Sequence, residues 1–209
     1  MPKIIYNAIQ GRSLERLAAL SDGIFAVAMT LLVLDIRIPS AAAIHSEAEL
    51  WLALAAMTPQ WVAYLMSFLT LGIFWAGQQT QLNHIREGSR DLSWIHLGFL
   101  FTITMLPLTT RLLAEFITYR LALLLYWFNI LLPGVMLYWS WKHATQHELI
   151  KEETTAEVRG AICRRVVIAQ SLYAFGALLC IWNNYASIAF IVLIQLNYAI
   201  APRIGKRLG

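Results

Sequence analysis

Residues 16–36 read RLAALSDGIFAVAMTLLVLDI. The stretch is apolar enough to cross a membrane, yet it opens with Arg16, Ser21 and Asp22 and places Thr30 near its middle. A plain anchor needs none of these groups. Each is costly in hydrocarbon unless it meets a partner, because no water is present to replace a missing hydrogen bond. The segment is therefore built to sit against something polar or to line something wet.

The rest of the chain sets the context. Of 209 residues, 59% are hydrophobic and 13% are charged. Soluble domains carry roughly 25% charged residues, so no soluble core accounts for this much apolar surface. The composition describes an all-α integral membrane protein. The net charge of +4 is no nucleic-acid footprint, since the basic residues fall between apolar runs. Cys163 and Cys180 have neither metal-ligand spacing nor a setting that favours a disulfide. We expect no cofactor and no cleavable leader.

Crossing about 30 Å of hydrocarbon takes roughly 20 helical residues. Six segments qualify: Leu17–Ile36, Pro59–Gln81, Leu92–Leu113, Leu121–Trp141, Val166–Asn183 and Tyr185–Ala201. They leave no room for a soluble domain, so residues 1–209 read as one six-span domain. A short amphipathic stretch, Glu47–Met57, precedes the helix start at Pro59. Pro107 and Pro133 fall inside the third and fourth segments and should kink them. Of the 16 lysines and arginines, all but Arg37, Arg111 and Arg120 fall on one side of this layout. The positive-inside rule then places both termini in the cytoplasm, and we expect the chain in the cell's inner (plasma) membrane. The segment KHATQHELIKEETTAEVRGAICRR, residues 142–165, becomes the largest cytoplasmic loop, extending the fourth and fifth segments as helix.

On a helix advancing about 100° per residue, Gly23, Val27, Thr30, Leu31, Leu34 and Ile38 form one stripe within about 60° of Val27. Phe25, Met29 and Leu32 occupy the opposite face and should pack on the bundle. Asp22 lies about 140° from Val27, turned towards the interior. Arg16 and Asp22 are about 120° apart, which excludes a direct i, i+4 bridge. By periodicity alone the stripe fits plain helix packing or a pore lining, and Thr30 fits a bond to its own i−4 carbonyl.

Arg16-Leu17-Ala18-Ala19-Leu20-Ser21-Asp22 resembles the R-x-x-x-F-S-D signature of the transmembrane protein 175 potassium channel family. The following GIFAVAMTLLVLDIRIP, together with YLMSFLTLGIFW in the second segment and MLPLTTRLLAEF ending the third, is similar to that family's sequence. Leu20 stands where the signature has Phe, and Gln78-Gln79 follow Trp75 where many relatives carry histidines. The resemblance implies a homotetramer whose first helices line a central pore with no carbonyl-loop selectivity filter. It implies apolar rings at Val27, Leu31 and Leu34, with Thr30 as a hydroxyl selectivity layer. The permeant ion is K+, with other monovalent cations possible, and the partners are further copies of the chain and the bilayer. Arg16, Ser21 and Asp22 would then fix the rotation of the pore helix through Trp75, Gln79, Asn83 and His96.

Four apolar side chains at one level make a constriction that dewets when closed. Asp35 either adds negative potential at the far mouth or, with Arg37, ends the helix among the headgroups. His143 and His147, at i, i+4 beside Glu148, read as a solvated helix face rather than a metal site. Trp51, Trp61, Trp94, Trp139, Trp141 and Trp182 read as an interfacial belt, and Asn183-Asn184 as a tight turn. An intramembrane enzyme built on Asp22 and His96 lacks a nucleophile or metal set, so we expect no enzyme. A secondary ion transporter or proton-linked carrier is the alternative, although neither repeats nor broken helices around a midplane site are evident.

Overall fold

The computed structural model describes residues 13–200. Lys3, Arg12, Arg203, Lys206 and Arg207, and Ala201 at the end of the sixth segment, lie outside the described residues. The helices are α1 (Leu14–Leu34), α2 (Glu47–Ala56), α3 (Thr58–His84), α4 (Arg90–Thr104), α5 (Leu106–Glu115), α6 (Arg120–Gln146), α7 (Ala156–Leu178) and α8 (Asn184–Ile200), with short 3-10 turns at Ala41–Ala43 and Leu179–Ile181. Five helical segments are long and apolar enough to cross a membrane: α1, α3, α4 with α5, α6, and α7 with its 3-10 extension. α8 is apolar and shorter, at 17 residues.

Helix starts follow local chemistry. Ser13, Ser46, Ser89 and Thr155 each accept a hydrogen bond from the backbone N–H three residues on, satisfying one of the orphan donors of the first turn. Pro59 occupies the first turn of α3, where its missing N–H costs nothing. Pro107 has the larger effect. It cannot donate to the Ile103 carbonyl, and the predicted kink becomes a break between α4 and α5 at Met105. α6 runs unbroken through Pro133.

Most apolar side chains of the interior form one core. α1 contributes Phe25 and Leu32, α3 Met66 and Leu71, α4 Phe99, Leu100 and Ile103, α6 Leu123 and Ile130, and α8 Ile191. α1 packs on α3 and α4, α4 on α6, and α6 on α7, while α8 fills the angle between α3 and α7. The last contact is close. A Cβ on Gly176 would sit 2.9 Å from Cγ1 of Ile191, and Ser187 Oγ donates to the Gly176 carbonyl at 2.6 Å. Only glycine admits that approach.

A smaller cluster of Ile85, Leu92, Trp141, Ala144 and Ile150 closes one end of the bundle. There the α6–α7 connection folds back on the α3–α4 turn through Arg86 N to Leu149 O (2.7 Å) and Lys151 N to His84 O (2.9 Å). The expected helical extensions reach Gln146 and start again at Ala156, which reduces the presumed loop to 147–155.

Three expectations change. Trp141 is 1% exposed and donates its indole N–H to the Arg159 carbonyl, so it belongs to the end cluster and not to an interfacial belt. α2 buries no residue, and its consecutive Leu50, Trp51 and Leu52 all lie exposed; beyond its acidic first turn, Glu47 and Glu49, it is apolar on every side rather than amphipathic. Ile38 lies beyond α1, whose helix ends at Leu34, so the stripe stops there.

Candidate functional site

The α1 stripe is open in the single chain. Val27 is 57% exposed, Leu31 44% and Leu34 77%, against 2% for Phe25 and 1% for Leu32 on the opposite face. An open groove of about 410 Å³ flanks the stripe, bounded by Leu20, Gly23, Ile24 and Ala28 of α1 and by Thr104 and Pro107 at the α4–α5 break. Thr30 is exposed among these apolar neighbours. Its Oγ1 donates within its own helix, to Val27 O at 2.9 Å and Ala26 O at 3.0 Å. That spends the single hydroxyl proton internally and leaves lone pairs facing outward.

Near its N-terminal end, α1 is held by hydrogen bonds from α3 and α4. Asp22 Oδ1 accepts from Trp75 Nε1 and from Gln79 Nε2, both at 2.8 Å. Trp75 and Gln79 are one helical turn apart, so both donors reach one carboxylate from the same face of α3. One position earlier on α1, the fully buried Ser21 meets a second pair. Gln78 Nε2 lies 2.6 Å from Ser21 Oγ and 2.6 Å from His96 Nε2, and Ser21 Oγ donates to Leu17 O at 2.9 Å. One proton arrangement fits every contact. The two amide protons of Gln78 go to Ser21 and to His96 Nε2; the imidazole, with its proton on Nδ1, also accepts from the Ser21 hydroxyl 3.1 Å away, which shares its proton with Leu17 O. Gln78 Oε1 is then left without a partner. His96 stacks obliquely on Phe99, with ring centroids 5.6 Å apart.

The structure thus brings Ser21, Asp22, Trp75, Gln79 and His96 together. It does not add Asn83, which is exposed, and no side-chain partner of Arg16 occurs among the described residues. Gln78, fully buried, is the member that sequence reasoning missed as a partner. The available signal was its position three residues after Trp75, which puts both on the face that meets α1.

The C-terminal end of α1 is held differently. Arg37 Nη2 lies 2.9 Å from Glu115, Arg111 Nε 3.5 Å from Glu115, and Arg111 Nη1 4.0 Å from Asp35. The Arg37 backbone N–H also donates to Gln60 Oε1. Asp35 is therefore one of two carboxylates facing two guanidiniums, and its potential at that end is largely compensated. His143 and His147 stack at 4.0 Å. Among the described residues no group of three or more His, Cys, Asp or Glu is placed to hold a metal ion.

Residues 16–107, from the start of the signature to the α4–α5 break, match the family model for endosomal/lysosomal potassium channel TMEM175. The match spans under half of the chain, and TMEM175 is the family this part of the chain resembles. A potassium channel of Streptomyces collinus is 38% identical over 102 residues, covering 49% of this chain and 48% of that protein. The chain is thus matched over only about half the length of that relative. A potassium channel of Chamaesiphon minutus is 25% identical over 189 residues, covering 88% of this chain and 93% of that protein. The endosomal/lysosomal proton channel TMEM175 of Danio rerio is 32% identical over 120 residues, 23% of its length. The crystal structure of a lysosomal potassium-selective channel TMEM175 homolog from Chamaesiphon minutus superposes with a TM-score of 0.77 at 25% identity, covering 90% of this chain and 97% of that one. TMEM175 is a family of ion channels and not of enzymes.

Proposed function

We propose that this chain is one subunit of a potassium-preferring cation channel. Four copies place α1 around a common axis, with Val27, Leu31 and Leu34 as apolar rings and Thr30 as a hydroxyl layer. Residues 1–209 act as a single six-span domain, with α8 as the sixth span and both termini in the cytoplasm of a cell whose inner membrane holds the channel. The observation that carries this reading is the α1 stripe. It is exposed along one line, while the helix's other face is buried and its N-terminal end is bonded to two neighbouring helices. A helix held so firmly in rotation presents the same side chains to the axis in every subunit.

The chemistry follows from that placement. Rings of Val and Leu exclude water when close together and so block ions; a small outward displacement rewets them. Thr30, its proton already given to its own helix, offers oxygen lone pairs that replace part of a cation's hydration shell. A few hydroxyl oxygens make a weaker cage than a carbonyl loop, so the preference for potassium over sodium is modest. Arg16, Ser21 and Asp22 set the rotation of α1 and do not line the path.

The test is ion flux from liposomes holding the purified protein under opposed potassium and sodium gradients, comparing wild type with Leu31→Ala. A potassium-biased leak that rises in the variant is the expected result. Saturable, gradient-coupled uptake would instead assign a secondary transporter or a proton-linked carrier. A leak unchanged by Leu31→Ala would remove the constriction from α1.

A further inference from the structure

Away from the α1 face, α3, α6, α7 and α8 surround a second cavity, of about 70 Å³. Much of its wall is apolar, including Phe74, Leu137 and Ala169, but Gln81, Gln170 and Tyr173 also line it. Tyr173 is only 2% exposed, and its hydroxyl makes no hydrogen bond of good geometry; its polar neighbour is the Gln195 carboxamide, whose Oε1 is itself unpartnered. Gln170 Oε1 is likewise buried and unpartnered. Its Nε2 lies 3.5 Å from the Ile130 carbonyl, a marginal bond, whereas Gln81 Nε2 reaches the Leu137 carbonyl at 3.1 Å. The rim carries exposed Thr80 and Arg165.

Two further features adjoin the cavity, the first on the side of a separate open groove that Gly134 and Gln170 both line. Gly134 of α6 lies under Gln170; a Cβ there would collide with the Gln170 carboxamide. Removing that Cβ gives the amide room to lie against α6 instead of filling the cavity. In α7 the buried residues are Tyr173, Gly176 and Ala177, all towards its C-terminal end, with none before Tyr173. The first part of α7 is therefore the least embedded stretch of a long helix, and the cavity lies beneath it.

We propose that this cavity is a built hydration site, holding a small cluster of water molecules hydrogen-bonded to the Tyr173 hydroxyl and the Gln170 carboxamide. A dry cavity would leave both groups with no partner in an apolar wall, which native interiors strongly avoid. One water needs about 10–15 Å³ of such space and two to four polar neighbours, so several fit, entering between Thr80 and Arg165. The same chemistry admits other small neutral hydrogen-bonding solutes. Beyond the Trp141 bond to the Arg159 carbonyl near its start, the first half of α7 is then joined to α6 chiefly through water.

The experiment is X-ray radiolytic footprinting of the intact protein in nanodiscs, in which hydroxyl radicals form from water at the site. Tyr126 is the internal control, being fully buried and bonded by Ser67 and Thr70. Tyr173 is expected to be modified several-fold faster than Tyr126, and Gln170→Leu to slow its modification. Tyr173→Phe is expected to leave the melting temperature unchanged or lower. Modification of Tyr173 no faster than Tyr126 would overturn the proposal. So would a higher melting temperature for Tyr173→Phe, which is what deleting an unpartnered hydroxyl from a dry cavity produces. Neither readout involves ion flux, so its failure leaves the channel reading standing.

Discussion

The two ends of α1 are tied to the bundle by opposite means. At the N-terminal end, Ser21, Gln78 and His96 meet at 2.6–3.1 Å and are each 2% exposed or less, while Asp22 and Trp75 beside them are exposed in the single chain. At the C-terminal end, four full charges meet at 2.9–4.0 Å with side chains 31–63% exposed. Hydrogen bonds in a dry setting are directional and costly to break. Exposed ion pairs are loose and screened by salt. The first end is a rotational clamp and the second a tether that tolerates displacement.

Substitutions should separate the two ends in a definite order. The largest effect is expected for His96→Ala, which leaves Gln78 without its acceptor and opens a void beside Phe99. It should cost about 2–4 kcal/mol, read as a fall in melting temperature; an unchanged value would dissolve the clamp. Next comes Asp22→Asn, where two charge-assisted bonds become neutral ones at a cost of about 1 kcal/mol. Assembly in detergent should weaken more than conductance changes, and a fully stable oligomer would contradict the assigned role.

Trp75→Phe removes one of the two donors to Asp22 and keeps most of the ring. A loss of about 0.5–1.5 kcal/mol in thermal unfolding is expected, and a double substitution with Asp22→Asn should cost less than the sum of the two. The smallest effect belongs to the tether. Glu115→Gln should cost about 0.2–1 kcal/mol at low ionic strength and nearly nothing at 1 M salt. A loss as large as that of His96→Ala, or one that salt does not diminish, would erase the distinction between the ends.

The contrast also shows which parts of the site were legible in the sequence. Ser21 and Asp22 announce themselves because polar groups inside an apolar run require partners. Trp75 and Gln79 could be paired with Asp22 because they share a helical face. Gln78 was harder: its neighbour Gln79 looks identical in sequence, and only the approach of α4 decides which of the two enters the core with His96. Trp141 misled for a related reason. A tryptophan near a segment end suits an interface, and it was the fold-back of 147–155 onto the α3–α4 turn that buried it. In the ion-pair chain only the i, i+4 link between Arg111 and Glu115 was open to sequence reading; its links to Asp35 and Arg37 span more than 70 residues.

The sequence by itself determined the membrane class, the helical segments and the buried and open faces of α1. Each of these depends on local hydropathy and on a fixed helical period, quantities written residue by residue along the chain. Only the tertiary structure decided that Pro107 breaks its helix while Pro133 does not, that Gln78 and not Asn83 joins the clamp, and that Tyr173 faces a cavity without a partner. Those outcomes depend on which surfaces meet. Contact between residues far apart in the chain is set by the packing of whole helices, which no single stretch of sequence encodes.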